Sequence, residues 1–358
     1  MKQRIIGFDL ARAYAILGMF IVNFNTVFGA KTDNSFIGQF LLLFNGNSSS
    51  VFVMLAGMGI ALMSNRTTYT LTEKTALQIT IVKRSLFLFI TGLLLCLWWP
   101  ADILHFYAGY MCIAACVLFL PKRVYLYIAA LTVLIFHVLL ICIPYERGWN
   151  FETLQYTGFW TFNGFMRNTF YNGWNAIFPW AAYFLFGMWL GRLNWSIANT
   201  QKRMFSLGFF VFVLVEGIQF LAPKIMIDKD VLFYLTADYI PPFLPFMLAT
   251  AAFGLMLIAG LMYLGNYVEN NKVVQAIAAT GKMTLSHYVS HLVIGILLFT
   301  FIQQVLSVNH YNQRENVSPI FILLFSIAYF IISVCWSWLW LKKFKNGPLE
   351  MLMRKISG

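Results

Sequence analysis

Apolar residues run along this chain in blocks of about twenty, separated by short polar breaks that carry most of the lysines and arginines. A helix rises about 1.5 Å per residue, so about 20 apolar residues cross the roughly 30 Å hydrocarbon core of a bilayer. That rule predicts spans at Phe8–Phe28, Gln39–Met63, Ile81–Trp99, Ile103–Leu120 and Val124–Ile143. Five more follow at Asn175–Leu190, Met204–Ala222, Pro241–Leu264, Met283–Val305 and Ile320–Leu341. The chain therefore reads as all-α, a polytopic integral membrane helix bundle of about ten transmembrane helices, with residues 1–358 as one transmembrane bundle. Short connections favour antiparallel neighbours. No internal repeat is evident, which weighs against an inverted-repeat transporter.

The basic residues orient the bundle. With the N-terminus cytoplasmic, eighteen of the 25 Lys and Arg fall on the inner side, among them Lys2, Arg4, Lys83, Arg84 and Lys282. Six fall outside (Lys31, Arg147, Arg167, Lys224, Lys229, Arg314), and Arg12 lies inside the first span. Both termini are thus expected in the cytoplasm, and the location expected is a bacterial cytoplasmic (inner) membrane.

Composition narrows the classes further. Hydrophobic residues fill 60% of the 358 positions and charged residues 11%, against about 25% charged in soluble domains, which leaves no room for a large water-soluble domain. The formal charge of +12 sits in short loops beside membrane ends, where topology and anionic lipid account for it, so no nucleic-acid partner is expected. The five cysteines lie in spans without a Cys-x-x-Cys pair, and no metal is expected.

Three segments stand apart. Residues 144–174 form an extracytoplasmic loop dense in aromatics, such as Trp149, Tyr156, Trp160, Phe170 and Trp174, which suits an interfacial belt or a lid or acceptor platform. The acidic loop with Asp228, Asp230 and Asp238 reads as solvated rather than metal-binding. Inside, residues 266–282 and the C-terminal segment 344–358 suit helices lying on the membrane surface.

Polar groups inside spans are costly unless paired or facing water, so they are the candidates for function. Asp9 and Arg12, three apart, suit a charge pair. Asn23 lies near the outer end of the first span, and Asn45 to Ser50, including Asn47, interrupts the second as a cavity wall. Asp102 and His105, again three apart, suit a carboxylate that orients an imidazole as general base, within reach of an acceptor from outside. The competing reading of Asp102 is a helix N-terminal charge without chemistry. His287 and His291 lie four apart beside Tyr288, with His291 about 13 Å in from Lys282, near the midplane. That spacing alone, without a third ligand, does not make a metal site.

Several of these segments together carry a resemblance. Arg4-Ile-Ile-Gly-Phe-Asp9-Leu-Ala-Arg12, Ile16 to Asn23, Phe52 to Gly57, Lys83-Arg84, Asp102-Ile-Leu-His105-Phe-Tyr-Ala108, Gly281 to His291 and Trp338 to Glu350 resemble, in order, the YeiB-like membrane proteins. They are also similar to the heparan-alpha-glucosaminide N-acetyltransferase family. Ala13 stands where that family usually has Gly, and His287 where Asn is common, which argues against His287 as a catalyst; His291 matches a Tyr-x-x-His pattern.

The resemblance implies a membrane-embedded acyltransferase moving an acyl group, expected to be acetyl, from cytoplasmic acyl-CoA (acetyl-CoA as co-substrate) to a small-molecule or glycan hydroxyl or amine acceptor. His291 or His105 would be the base, with Asp102 orienting His105. Lys83, Arg84 and Lys282 would hold CoA phosphates, and Asn45 and Asn47 would stabilise an oxyanion. Asp9, Arg12, Asn23 and Tyr288 would line the substrate cavity. Membrane lipids are expected partners, and homo-oligomerisation is left open. The rival readings are a transporter or flippase of an amphiphilic metabolite and a non-catalytic scaffold. In the scaffold reading the Ala56-Gly57 and Gly187-x-x-x-Gly191 surfaces are helix contacts.

Overall fold

The computed structural model describes residues 5–30, 33–66, 68–225, 228–236, 239–306 and 317–358; Lys2, Arg4, Lys31, Asp238 and Arg314, named above, lie outside them. The order is α1 (Ile6–Phe28), α2 (Phe36–Leu42), α3 (Asn47–Met63), α4 (Leu71–Cys96), α5 (Leu104–Val117) and α6 (Lys122–Cys142). A two-stranded hairpin, β1 (Trp149–Asn150) and β2 (Gln155–Tyr156), precedes α7 (Phe162–Arg167) and a π-turn at Asn168–Asn172. Then come α8 (Ile177–Gly191), α9 (Ala198–Leu221), α10 (Lys229–Leu235), α11 (Leu244–Val268), α12 (Lys272–Gly281) and α13 (Thr284–Ser290). A second π-turn (His291–Gly295) leads into α14 (Ile296–Leu306), followed by α15 (Pro319–Trp340) and α16 (Pro348–Ser357).

Each of the ten predicted spans has a helical counterpart, and the protein is an all-α polytopic membrane protein. Among the described residues, eight helical stretches are long and apolar enough to cross a bilayer; the other two are α5, of 14 residues, and α8, of 15. At about 1.5 Å per residue these two reach only about 21 to 23 Å. The helix surfaces show the solvent directly. Ile141 on α6 is 87% exposed and Phe210 on α9 is 65% exposed, among many other exposed large apolar side chains. Water would not tolerate such a surface, whereas lipid tails cover it.

The chain forms two compact units. The first comprises residues 1–52, 201–207 and 253–352. In it α1 packs on α12, α13 and α15. Its core is aromatic: the Phe24, Phe299 and Phe325 rings meet at 4.7 to 5.9 Å, and Phe28 stacks on Phe299 at 3.9 Å. The predicted interruption of the second span is present as a turn at residues 43–46 between α2 and α3.

The second unit comprises residues 53–200, 208–252 and 353–358. Here α4 and α5 form an antiparallel pair whose polar and small contacts on α4 recur every seven residues. Gln78 donates to the Ala115 carbonyl (2.9 Å), Ser85 to that of Ala108 (2.8 Å), and Gly92 lies against His105. α8 is packed against α5 and α6. Residues 144–174 are a built structure, not an open loop. Asn172 donates to the carbonyls of Tyr145 and Arg147 (2.7 and 2.9 Å), and accepts from the Tyr156 hydroxyl (2.7 Å), which accepts from Arg167 Nε (2.7 Å). Burial pushes the Tyr156 phenol above its ordinary value, so it remains a neutral donor to Asn172.

Candidate functional site

Asp102 and His105 sit where the chain turns from α4 into α5. The run Trp98-Trp99-Pro100 cannot continue α4, because proline lacks the N–H and disfavours helix in the residue before it. Asp102 therefore falls just before α5, where its Oδ2 accepts from the His105 backbone N–H at 3.2 Å and lies 3.2 Å from His105 Nδ1. The same oxygen thus accepts from a first-turn N–H of α5 and faces the ring, geometry that both readings of Asp102 share. Gly92 makes room for this: a Cβ there would stand 2.6 Å from Asp102 Oδ2. Both residues are buried, Asp102 at 0% and His105 at 1% exposure. His105 is thus covered, by Phe106 (ring centroids 3.8 Å apart) and by Phe159 of the aromatic segment (5.8 Å), and does not stand open to an acceptor as the sequence suggested.

The ring's two nitrogens differ. Nδ1 faces Asp102 Oδ2 and Cys96 Sγ, 3.6 Å away, whereas Nε2 is buried with no hydrogen-bond partner among the described residues. With Asp102 Oδ2 as the acceptor of this pairing, the ring proton falls on Nδ1 and the lone pair on Nε2. A buried imidazole with its lone pair uncommitted is the state a general base requires. Among the described residues, Cys96, Asp102 and His105 are also a group whose donor atoms, within 4.8 Å of one another, could hold a metal ion.

His291 is held differently. Its Nε2 meets the Asn23 side-chain amide at 2.8 Å and its Nδ1 faces the His287 carbonyl at 3.2 Å, so both nitrogens are engaged. Tyr288 and Phe20 pack on the ring at 5.4 and 5.0 Å. His287 bonds Ser337 Oγ at 2.6 Å, and since Ser337 donates to the Ser333 carbonyl, His287 Nε2 is the donor. These two histidines read as a polar seam joining α13 to α1 and α15.

The other predicted residues fall as follows. Asp9 and Arg12 form the expected ion pair at 3.0 Å. Asn45 is exposed in the turn, and Asn47 donates to the Leu43 carbonyl at 2.7 Å while its Oδ1 is buried and unpaired. The buried polar side chains of that stretch are Ser48 and Ser50. Lys83 is exposed on α4, and Arg84 contacts Ser357 Oγ (3.2 Å) and Met63 sulfur (3.3 Å). Lys83, Arg84, Asp102 and His105 belong to the second unit; Asp9, Arg12, Asn23, Asn45, Asn47, Lys282, Tyr288 and His291 belong to the first.

Three residues that sequence reasoning passed over have clear work. Cys96 lies against the His105 ring. Arg192 donates to the Ser64 carbonyl and hydroxyl (2.7 Å each) and to the Leu118 carbonyl (3.1 Å), satisfying chain ends that follow α3 and α5. Glu350 accepts from the backbone N–H groups of Leu285 (2.7 Å) and Ser286 (3.2 Å) and from Ser286 Oγ (2.5 Å), capping α13. The isolated acid in Gly347-Pro-Leu-Glu350 was the available signal, since an acid beside a turn often caps a helix.

Comparison with known proteins agrees with this architecture. Residues 4–221 match the family described as heparan-alpha-glucosaminide N-acetyltransferase, catalytic. The chain belongs to that transmembrane acetyltransferase-like family, and within it is YeiB-like. It is 24% identical over 402 aligned residues to the uncharacterized protein YeiB of Escherichia coli (strain K12), with 99% of this chain and 96% of that protein covered. Residues 188–358 match a family described as protein of unknown function (DUF418). No solved structure matches the chain.

Proposed function

We propose that this chain is an acyltransferase of a bacterial cytoplasmic membrane. It would take an acyl group, acetyl by family analogy, from cytoplasmic acyl-CoA and place it on a hydroxyl or amine of a glycan or other small acceptor. The observation that carries this reading is His105: Nδ1 fixed on Asp102 and Nε2 buried without a partner among the described residues. Support also comes from the segment matched to the acetyltransferase family, which contains Asp102 and His105 but not His291. Once Phe159 of the aromatic segment swings off the ring to admit the acceptor, His105 Nε2 takes the proton of the attacking hydroxyl or amine as its oxygen or nitrogen bonds the acyl carbon. The carbon–sulfur bond to CoA breaks, and the proton passes to the leaving thiolate. Asp102 stabilises the imidazolium in between.

Reach is a constraint the geometry eases. Lys83 and Arg84 lie 13 and 12 residues before Cys96 on α4, and Cys96 touches His105. At about 1.5 Å per residue that places the basic pair about 18 to 20 Å along the helix from the base, short of a full ~30 Å bilayer. CoA phosphates held there, Lys83 first because Arg84 is already engaged, leave the pantetheine arm less distance to cover.

The test uses membrane vesicles containing the full chain, supplied with radiolabelled acetyl-CoA, and follows label entering the envelope fraction. H105A is expected to lower transfer about 10²- to 10⁴-fold and D102N to lower it while displacing the pH–rate profile, with H291A losing far less. Full transfer by H105A, or no acetyl-CoA-dependent labelling in the wild type, overturns the reading.

A further inference from the structure

A cavity of about 460 Å³ opens in the first unit where four helices end. Asp9 from the first turn of α1, Glu269 just past α11, Gln275 and Lys282 from α12 and its end, and Trp338 and Lys342 from the end of α15 line it. Its volume lies in the range of small-molecule sites. Helix ends in a spanning bundle stand at the depth of lipid headgroups, and a tryptophan beside them is the usual interfacial anchor.

Charge decides what fits. Asp9 and Glu269 contribute two carboxylates and Lys282 and Lys342 two ammonium groups, and with Arg12 already paired to Asp9 the site carries both signs with one net positive charge. A polyanion such as the phosphate head of CoA gains little from such a wall, because two carboxylates stand among its lysines. A ligand bearing a phosphate and a primary amine a few ångströms apart matches both signs at once. Lys342 lies over the Trp338 ring at 5.5 Å, and Gln275 donates to the Glu269 backbone carbonyl at 2.9 Å, tying the main chain of one acidic corner to α12. Asp9, paired with Arg12 at 3.0 Å, is buried at 2% exposure and gives the other.

We propose that this cavity binds a zwitterionic amine-phosphate group, as carried by phosphatidylethanolamine or by a free phosphoethanolamine. The phosphate lies on Lys282 and Lys342, and the ammonium donates to Glu269 and Asp9. This assigns Lys282 to the headgroup cavity and leaves Lys83 and Arg84 for the acyl donor. The site stands or falls independently of acyl transfer.

The experiment measures binding of short-chain phosphatidylethanolamine, phosphatidylcholine and phosphatidylglycerol, and of free phosphoethanolamine, to the delipidated full chain in detergent by native mass spectrometry. Phosphatidylethanolamine is expected to bind at least tenfold tighter than the choline lipid, which has no N–H to donate, and than the glycerol lipid, which has no cation. E269K, which adds two positive charges to the lining, is expected to reverse the order in favour of phosphatidylglycerol. That reversal is a gain that an unfolded variant cannot produce. Free phosphoethanolamine binding as tightly as the lipid identifies a soluble ligand; binding more than tenfold weaker identifies the lipid. Equal affinity for the three lipids, or an order unchanged in both E269K and K282E, overturns the proposal.

Discussion

The pairings legible in the sequence were those set by helical spacing. Asp9 with Arg12 and Asp102 with His105 lie three apart, and each pair meets as that spacing requires. What spacing could not supply was the state of the second nitrogen of each histidine, which depends on residues far along the chain. Asn23 reaches His291 across 268 positions and no described residue reaches His105 Nε2, so ranking the two candidates needed three dimensions. Glu350 makes the same point, meeting Leu285 and Ser286 across more than sixty positions. Its carboxylate satisfies two backbone donors and a hydroxyl at once. E350A should therefore destabilise the fold by about 1 to 3 kcal/mol, the cost of unpaired helix-end donors and a charge-assisted bond. E350Q, which keeps an acceptor, should lose less. Thermal unfolding in detergent reads both, and an unchanged midpoint in E350A would show that the cap contributes nothing.

At the scale of elements, hydrophobic block length located all ten helical stretches, because lipid removes the competing strand and loop solutions. It misjudged ends. α4 starts at Leu71, ten residues before the apolar block, because Thr70 and Glu73 form a reciprocal capping box that carries the helix out past the hydrocarbon. α5 and α8 are shorter than a bilayer, which block length alone did not reveal. The small residues expected to be contacts are contacts. A Cβ on Gly57 would collide with the Phe184 carbonyl, one on Gly187 with that of Met54, and one on Gly191 would stand 2.8 Å from the Ala61 Cβ. α3 and α8 therefore touch backbone to backbone, the arrangement that dispersion favours where lipid gives no hydrophobic drive. G57A and G187A should each force the helices apart and sharply lower the yield of monodisperse protein on size exclusion. Gly217 on α9 faces open space, and G217A should be neutral or stabilising by up to about 1 kcal/mol. Equal behaviour of the three variants would remove the packing explanation.

For the whole molecule, the open quantity is orientation, because helices alone do not say which end faces the cytoplasm. The charge bias of the sequence predicts it: counted loop by loop, the basic residues are expected to crowd the cytoplasmic side and to thin out on the side of the aromatic segment 144–174. A fluorescent protein fused after Gly358 should therefore fluoresce, since it folds in the cytoplasm, whereas a phosphatase that needs an oxidising compartment should be active when inserted near Glu152 and inactive after Gly358. The stakes reach both proposals. With the termini inside, the α4 basic pair faces the compartment that supplies acyl-CoA, and the mixed-charge cavity at the ends of α1, α11, α12 and α15 samples headgroups of the inner leaflet. With the reverse pattern of reporter activity, the donor phosphates would have no cytoplasmic anchor on α4. The acyl-CoA reading would then fail, while the headgroup cavity, whose charge balance is indifferent to side, would remain open to the same lipid class in the outer leaflet.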